Sequence, residues 1–359
     1  MCSFGNIPGP SVSILSIPHA SVLAVFVCES GPRTLLKAAT KKIMFRTLTS
    51  LFCCLLLASS TMAQRRTLRR PPSAPEPIVI PFELSERGHI FLHVRVNNSE
   101  PLWFILDSGS GDTVLNNRLV KKLNLRIEAE GEAAGAGGEQ AAVLTTGVSL
   151  DVSGVRLARQ KIPAIDFERL EKSIGREIDG MLGYDFIRRF VVEVNYDALT
   201  MKVHKATGYR YRGSGQVMPV TTEADHPHIN LQVTLPGRDP LAGKVIVDGG
   251  AGGVTLEFSN SFVASHKLLQ SIQILETKSL AAIGGTHTIS YARGESIQLG
   301  RLQLTNPIIG FSQTPHGSQN RANIAGLIGT KLLRRFTIIY DDQRHRIIFE
   351  PNQSFSIPE

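Results

Sequence analysis

Two short segments of this chain spell nearly the same phrase, and each ends an apolar run on one aspartate. The first reads Phe104-Ile105-Leu106-Asp107-Ser108-Gly109-Ser110, the second Val245-Ile246-Val247-Asp248-Gly249-Gly250-Ala251. Both sit inside a longer repeat. Upstream, Gly88-His89-Ile90-Phe91-Leu92-His93-Val94 matches Pro227-His228-Ile229-Asn230-Leu231-Gln232-Val233. Downstream, each half has a glycine-rich stretch, with Gly135, Gly137 and Gly138 in one and Gly284 and Gly285 in the other. The halves also close alike, on Gly180-Met181-Leu182-Gly183 to Phe190 and on Gly326-Leu327-Ile328-Gly329 to Phe336. One order of features, met twice, implies internal duplication. The period is too long for a solenoid unit, so the chain reads as two lobes.

The pattern inside each lobe is that of strands. Ile90 to Val96 and Ile229 to Leu235 alternate with period two, and Val191 to Val194, Ile338 to Tyr340 and Arg346 to Phe349 are short β-type runs. Helical spacing is confined to Asn117–Leu123, Ser261–Leu269, Gly183–Arg189 and Gly329–Arg335. The expected fold is therefore all-β, with two similar lobes, a cleft between them and few short helices. The lobe boundary is expected in the Gly208–Gly215 stretch, giving lobes 77–212 and 213–359. Arg188-Arg189 and Arg334-Arg335 recur in register and read as solvated charges beside an apolar helix face.

Composition narrows the chemistry. All four cysteines lie upstream of residue 55, so the two lobes have no disulfide, no thiolate metal site and no cysteine nucleophile. The histidines form no His-Glu-x-x-His or other tight cluster, and no metal site is expected. Gly249 to Gly253 is not followed by Lys-Ser/Thr, and neither Ser108 nor Ser110 lies in a Gly-x-Ser-x-Gly elbow. The net charge of +8 is misleading, because beyond residue 70 Lys and Arg balance Asp and Glu. No nucleic-acid partner is expected of such a neutral body. Residues 44–63 read as a signal peptide: Arg46, a short apolar run from Leu51 to Ala58, then Thr61-Met62-Ala63. That run is too short to anchor the chain in a membrane, so a secreted or periplasmic location is expected. Residues 1–43 precede this signal awkwardly, as an early-assigned start codon would make them, and residues 64–76 are a basic, Pro-rich linker.

Asp107-Ser108-Gly109-Ser110, a later Gly-Gly segment and then apolar-apolar-Gly together resemble one lobe of an aspartic protease. The pattern occurs twice, so the chain is similar to the retropepsin-like family with both halves fused, as in pepsin-like enzymes. The phrases Gly135-Ala136-Gly137-Gly138 and Asp179 to Phe186 are most like bacterial members. The resemblance spans roughly 77–351. It implies that Asp107 and Asp248 meet as a catalytic dyad, supported by Ser108, Gly109, Ser110, Gly249 and Gly250. It also implies flaps at Gly135, Gly137, Gly138, Gly284 and Gly285, and bracing of the Asp loops by Met181-Leu182 and Leu327-Ile328. The substrate would be an extended polypeptide, with no cofactor and no need to dimerise. Close carboxyls would share one proton.

The second half departs from the family, which prefers Asp-Thr-Gly or Asp-Ser-Gly. Ser108 can hydrogen-bond across to the opposite loop and Gly249 cannot reciprocate. Ser110 likewise has Ala251 as its counterpart. Lobe one thus holds both hydroxyls. If these donate to the carboxylate, Asp107 is the more readily ionised acid and Asp248 the proton carrier. The glycine two residues after each Asp is expected to permit a tight loop backbone. Taken alone, each Asp would read as a turn residue; it is the repeat that argues for a site. The missing hydroxyl leaves a second reading open, a weak or inactive protease fold that only binds peptides.

Overall fold

A computed structural model describes residues 76–317 and 323–359. The upstream segment 1–43, the signal peptide 44–63 and the linker as far as residue 75 lie outside the described residues. The chain divides into two units, Met1–Arg70 and Pro71–Glu359, and everything below concerns the second. It is mostly β, with several sheets and few short helices.

Alternation fixes where strands form and which face they bury. Ile90–Val96 is a strand whose second half alternates buried and exposed, and His226–Thr234 does the same. The strands that carry the two acids are different. Leu102–Leu106 and the end of Leu241–Val247 are apolar on successive residues and buried on both faces. Each lies inside a large sheet. In the eight-stranded sheet, Leu102–Leu106 pairs in parallel with Gly180–Leu182, with Ile105 opposite Met181. In the ten-stranded sheet, Leu241–Val247 pairs in parallel with Gly326–Ile328, with Ile246 opposite Leu327. Both acids therefore emerge from the end of an interior strand, the most rigid place a sheet offers.

A third, six-stranded sheet takes strands from both halves. Val191–Asn195 pairs antiparallel with Phe336–Asp341, Val192 opposite Tyr340 and Val194 opposite Ile338. Ile78–Pro81 and Gln216–Pro219 form its two edges. Tyr196, Phe336, Ile338 and Phe349 of this region join one continuous buried cluster with core residues of both halves. The connection from 205 to 215 carries no strand.

Helices are as sparse as expected, with two local differences. The Ser261–Leu269 run is split: an α-helix Asn260–Ser265, capped by the Ser259 hydroxyl, stops before Lys267, which takes a left-handed conformation (φ 50°). Leu268–Gln270 follows as a short 3-10 turn. The helix Glu168–Ile174 was not expected. Its signals were present, with Leu170 and Ile174 one turn apart and Gly175 closing it in the left-handed region.

One charge reading is corrected. Arg189 and Arg334 are exposed, but Arg335 is buried. Its guanidinium donates to the carbonyls of Phe355 (3.1 Å) and Ile357 (2.5 Å) and lies 3.5 Å from the Glu359 carboxylate. The final segment folds back over the helix end, and Arg335 satisfies its carbonyls where water cannot. Arg335→Ala should cost about 2–4 kcal/mol in equilibrium denaturation, since the carbonyls of Phe355 and Ile357 lose this donor and the buried Glu359 side chain loses one of its cationic neighbours. Arg189→Ala, at an exposed site, should stay within about 0.5 kcal/mol. Equal losses would show the two arginines to be equivalent after all.

Candidate active site

Each acid is held first by its own loop. Asp107 N–H donates to Leu182 O and Asp248 N–H to Ile328 O, both at 2.9 Å, so the apolar pairs expected to brace the loops do so through their carbonyls. One oxygen of Asp107 accepts from the N–H groups of Gly109 (2.8 Å) and Ser110 (3.1 Å). One oxygen of Asp248 accepts from Gly250 (2.8 Å) and Ala251 (2.9 Å). The short helices Tyr184–Ile187 and Thr330–Leu333 cap the far side, with Tyr184 N–H on Ser110 O and Thr330 N–H on Ala251 O.

The two loops then meet. A Cβ on Gly109 would overlap the Asp248 carboxyl, and a Cβ on Gly250 would overlap the Asp107 carboxyl. This corrects the reason for the glycines. Neither has a positive φ; what matters is that each lacks a side chain where the opposite acid lies. Ser108 stitches the loops together, donating to Val247 O (2.8 Å) and accepting from Gly249 N–H (2.9 Å). Tyr340 Oη lies 3.3 Å from the same hydroxyl. The Ser110 hydroxyl turns away, donating to Asp112 O.

A family model described as Aspartyl protease matches residues 92–186. This stretch is an aspartyl protease domain. No curated protein matches the chain. The matched region holds Asp107, the first glycine-rich hairpin and the Gly180–Phe186 closure; Asp248 lies beyond it.

Both Asp107 and Asp248 are buried, and burial pushes both carboxyls above their ordinary range. Asp248 goes further, because the negative charges of Asp107 and Glu257 add to its burial. On Asp107, loop N–H groups and His226 pull back against burial. The expected cause of this order is absent, since neither Ser108 nor Ser110 donates its hydroxyl to the Asp107 carboxylate. The unequal surroundings come instead from Glu257 on one side and His226 on the other.

Two hairpins stand over the acids. The strands Arg126–Gly135 and Gly138–Val152 form one, Ile274–Ala282 and Gly285–Arg293 the other. Their tips touch, with Gly137 N–H donating to Ile283 O at 2.8 Å. Gly284 takes φ 83°, and a Cβ there would strike Gly138. All five glycines expected at the flaps thus lie at or beside this meeting of tips. Beneath them runs a cleft of about 490 Å3, lined by Asp107, Asp248 and both hairpins.

Several cleft residues were missed in the sequence. Each half sends an arm onto the other's Asp loop. Arg87 O accepts from Gly253 N–H (2.8 Å) and from the Thr330 hydroxyl (2.6 Å), while His89 packs on Gly252. Burial, aided by Arg87, lowers the His89 pKa to about 4, so the ring is neutral near pH 7. On the other side, Asp225 and His226 pack on Gly111, and Asp225 pairs with Arg188. Glu257 and His287 were also missed, although a Glu between Leu256 and Phe258 in a short apolar strand was a visible signal. Among the described residues, no three His, Cys, Asp or Glu side chains group as a metal site.

Ser108→Ala should cost about 1–3 kcal/mol, because a buried carbonyl and N–H lose their shared partner. Gly249→Ser should stabilise by about 0.5–1 kcal/mol, since Leu106 O lies 3.2 Å from the position of its Cβ, within reach of a new hydroxyl much as Val247 O is within reach of Ser108. Denaturant unfolding checks both; destabilisation by the serine would refute the second. The acids also set a pH dependence. Their folded values exceed the ordinary 3.8, so their contribution is fully present below that pH and is lost as pH rises through the folded values. Asp248→Asn should therefore gain stability relative to wild type between acidic and neutral pH. A pH-independent difference between the two proteins would contradict this.

Proposed function

We propose that the chain is an aspartic endopeptidase that hydrolyses peptide bonds with water activated by Asp107 and Asp248. The observation that carries this reading is the contact of two buried carboxyls from two loops of the same design, beneath paired hairpins. The family match over 92–186 supports it from the sequence side.

The unequal acids suggest their roles. Asp107, ionised, takes a proton from water as its oxygen attacks the substrate carbonyl carbon. Asp248, protonated, gives its proton to the carbonyl oxygen, and a tetrahedral gem-diol results. As the carbonyl re-forms, one gem-diol hydroxyl returns its proton to Asp248, the C–N bond breaks and the departing nitrogen takes the proton held by Asp107. The two carboxyls end with the one proton they began with. The hairpins would close over an extended peptide and keep bulk water from this exchange. Activity should therefore rise as pH passes the raised value of Asp107 and fall once Asp248 loses its proton.

The rest of the reading follows from the duplicated design. Both acids come from one chain, so the enzyme would work as a monomer, with lobes 77–212 and 213–359. The signal peptide read at 44–63 would place it in the periplasm or outside the cell. No helix among the described residues is long and apolar enough to cross a membrane.

Purified protein incubated with an unfolded protein substrate from acidic to neutral pH should cleave it. Asp107→Asn and Asp248→Asn should each lower the rate by about 10²-fold or more. Absence of cleavage at every pH by a folded wild type would leave a peptide-binding protein, consistent with Gly249. Cleavage surviving in either variant would remove the dyad from the mechanism.

A further inference from the structure

The two Asp loops are alike, but the walls beside them are not. Val114 and Glu257 occupy the same register position in their sheets. Val114 lies opposite Met181, which pairs with Ile105 on the Asp107 strand. Glu257 lies opposite Leu327, which pairs with Ile246 on the Asp248 strand. The first wall is apolar: Val114, Ala142, Ile165, Leu170, Ile174 and Met181 line it. Ile283, from the tip of the second hairpin, packs against that same cluster.

The second wall combines apolar sides with a polar floor. Val254, Leu280, Ile289 and Leu327 line the cleft around Glu257 and His287. The Glu257 side chain is only 5% exposed and accepts from His287 Nε2 at 2.5 Å. His287 Nδ1 is buried without a hydrogen-bond partner. Arg87 also lines the cleft, yet no ion pair joins it to Glu257 among the described residues. Burying a carboxylate is expensive, and the fold does not require it, because valine fills the matching position opposite. The floor thus presents acceptors: the lone pairs of the carboxylate and, in the neutral imidazole, Nδ1. What fits is a long apolar stem ending in several N–H donors.

We propose that Glu257 and His287 form a specificity subsite for a lysine or arginine side chain next to the scissile bond, while the opposite wall takes an apolar one. The methylenes would lie along Leu280, Ile289 and Leu327, and the cationic head would reach the carboxylate and Nδ1. This rests on the peptidase reading for its substrate but not for its chemistry, since a protein that only binds peptides would select them the same way.

The test uses the full chain and one mixed peptide library, read by mass spectrometry in two ways. In digestion, wild type should favour Lys or Arg over Leu at one position beside the cleaved bond by about tenfold. In capture on immobilised Asp107→Asn protein, the same basic peptides should be enriched. Glu257→Gln, close in shape, and Glu257→Val, copying the opposite wall, should each abolish the preference in both readouts. Basic enrichment in neither readout, or enrichment that survives both substitutions, overturns the subsite. Enrichment in capture with no digestion at all would keep the subsite and refute the peptidase reading.

Discussion

Everything in this molecule is arranged around the approach of two carboxyls that would otherwise repel. The approach is possible because Gly109 and Gly250 leave space for the opposite acid. It is held by N–H donors from each loop and by one hydroxyl, Ser108, that joins the loops. The interior strands behind them and the helix starts at Tyr184 and Thr330 leave the loops little freedom to relax apart. Once the acids are held this close, sharing one proton becomes their most favourable state.

The departures from symmetry give the site its direction. A symmetric pair would have no preferred proton carrier and two equivalent walls. Here Glu257 raises the proton affinity of Asp248, and His226 favours the charged form of Asp107. Ser108 without a partner hydroxyl at Gly249 is the same asymmetry in the scaffold: one hydroxyl joins the two loops where a symmetric pair would use two. The apolar wall at Val114 and the acidic one at Glu257 likewise make the two sides of the cleft chemically unequal.

Much of this was legible in the sequence because it depended on local pattern repeated in order. The two strand-end aspartates, the glycines at the hairpin tips, the closing Gly-x-x-Gly phrases, the strand Ile90–Val96 and most of His226–Thr234, expected at Ile229–Leu235, all follow from period and punctuation. What escaped depended on where the other half would lie. The role of Gly109 is invisible until Asp248 stands against it, since its backbone is ordinary. Arg335 reads as one of a pair of surface charges until residues 355–359 fold back over it. The arms at Arg87–His89 and Asp225–His226 have no motif, because they matter only by crossing to the opposite loop.

The six-stranded sheet has a further consequence. Its central ladder, Val191–Asn195 on Phe336–Asp341, is made of one strand from each half. Cut apart there, each half would carry a raw edge of unpaired backbone with an apolar face, the kind of surface that recruits a matching strand from whatever is nearest. The nearest match would be another copy of itself. Carrying both halves in one chain therefore does more than supply two acids: it keeps the joining edge occupied, and the joint sits at a fixed local concentration that dilution cannot lower.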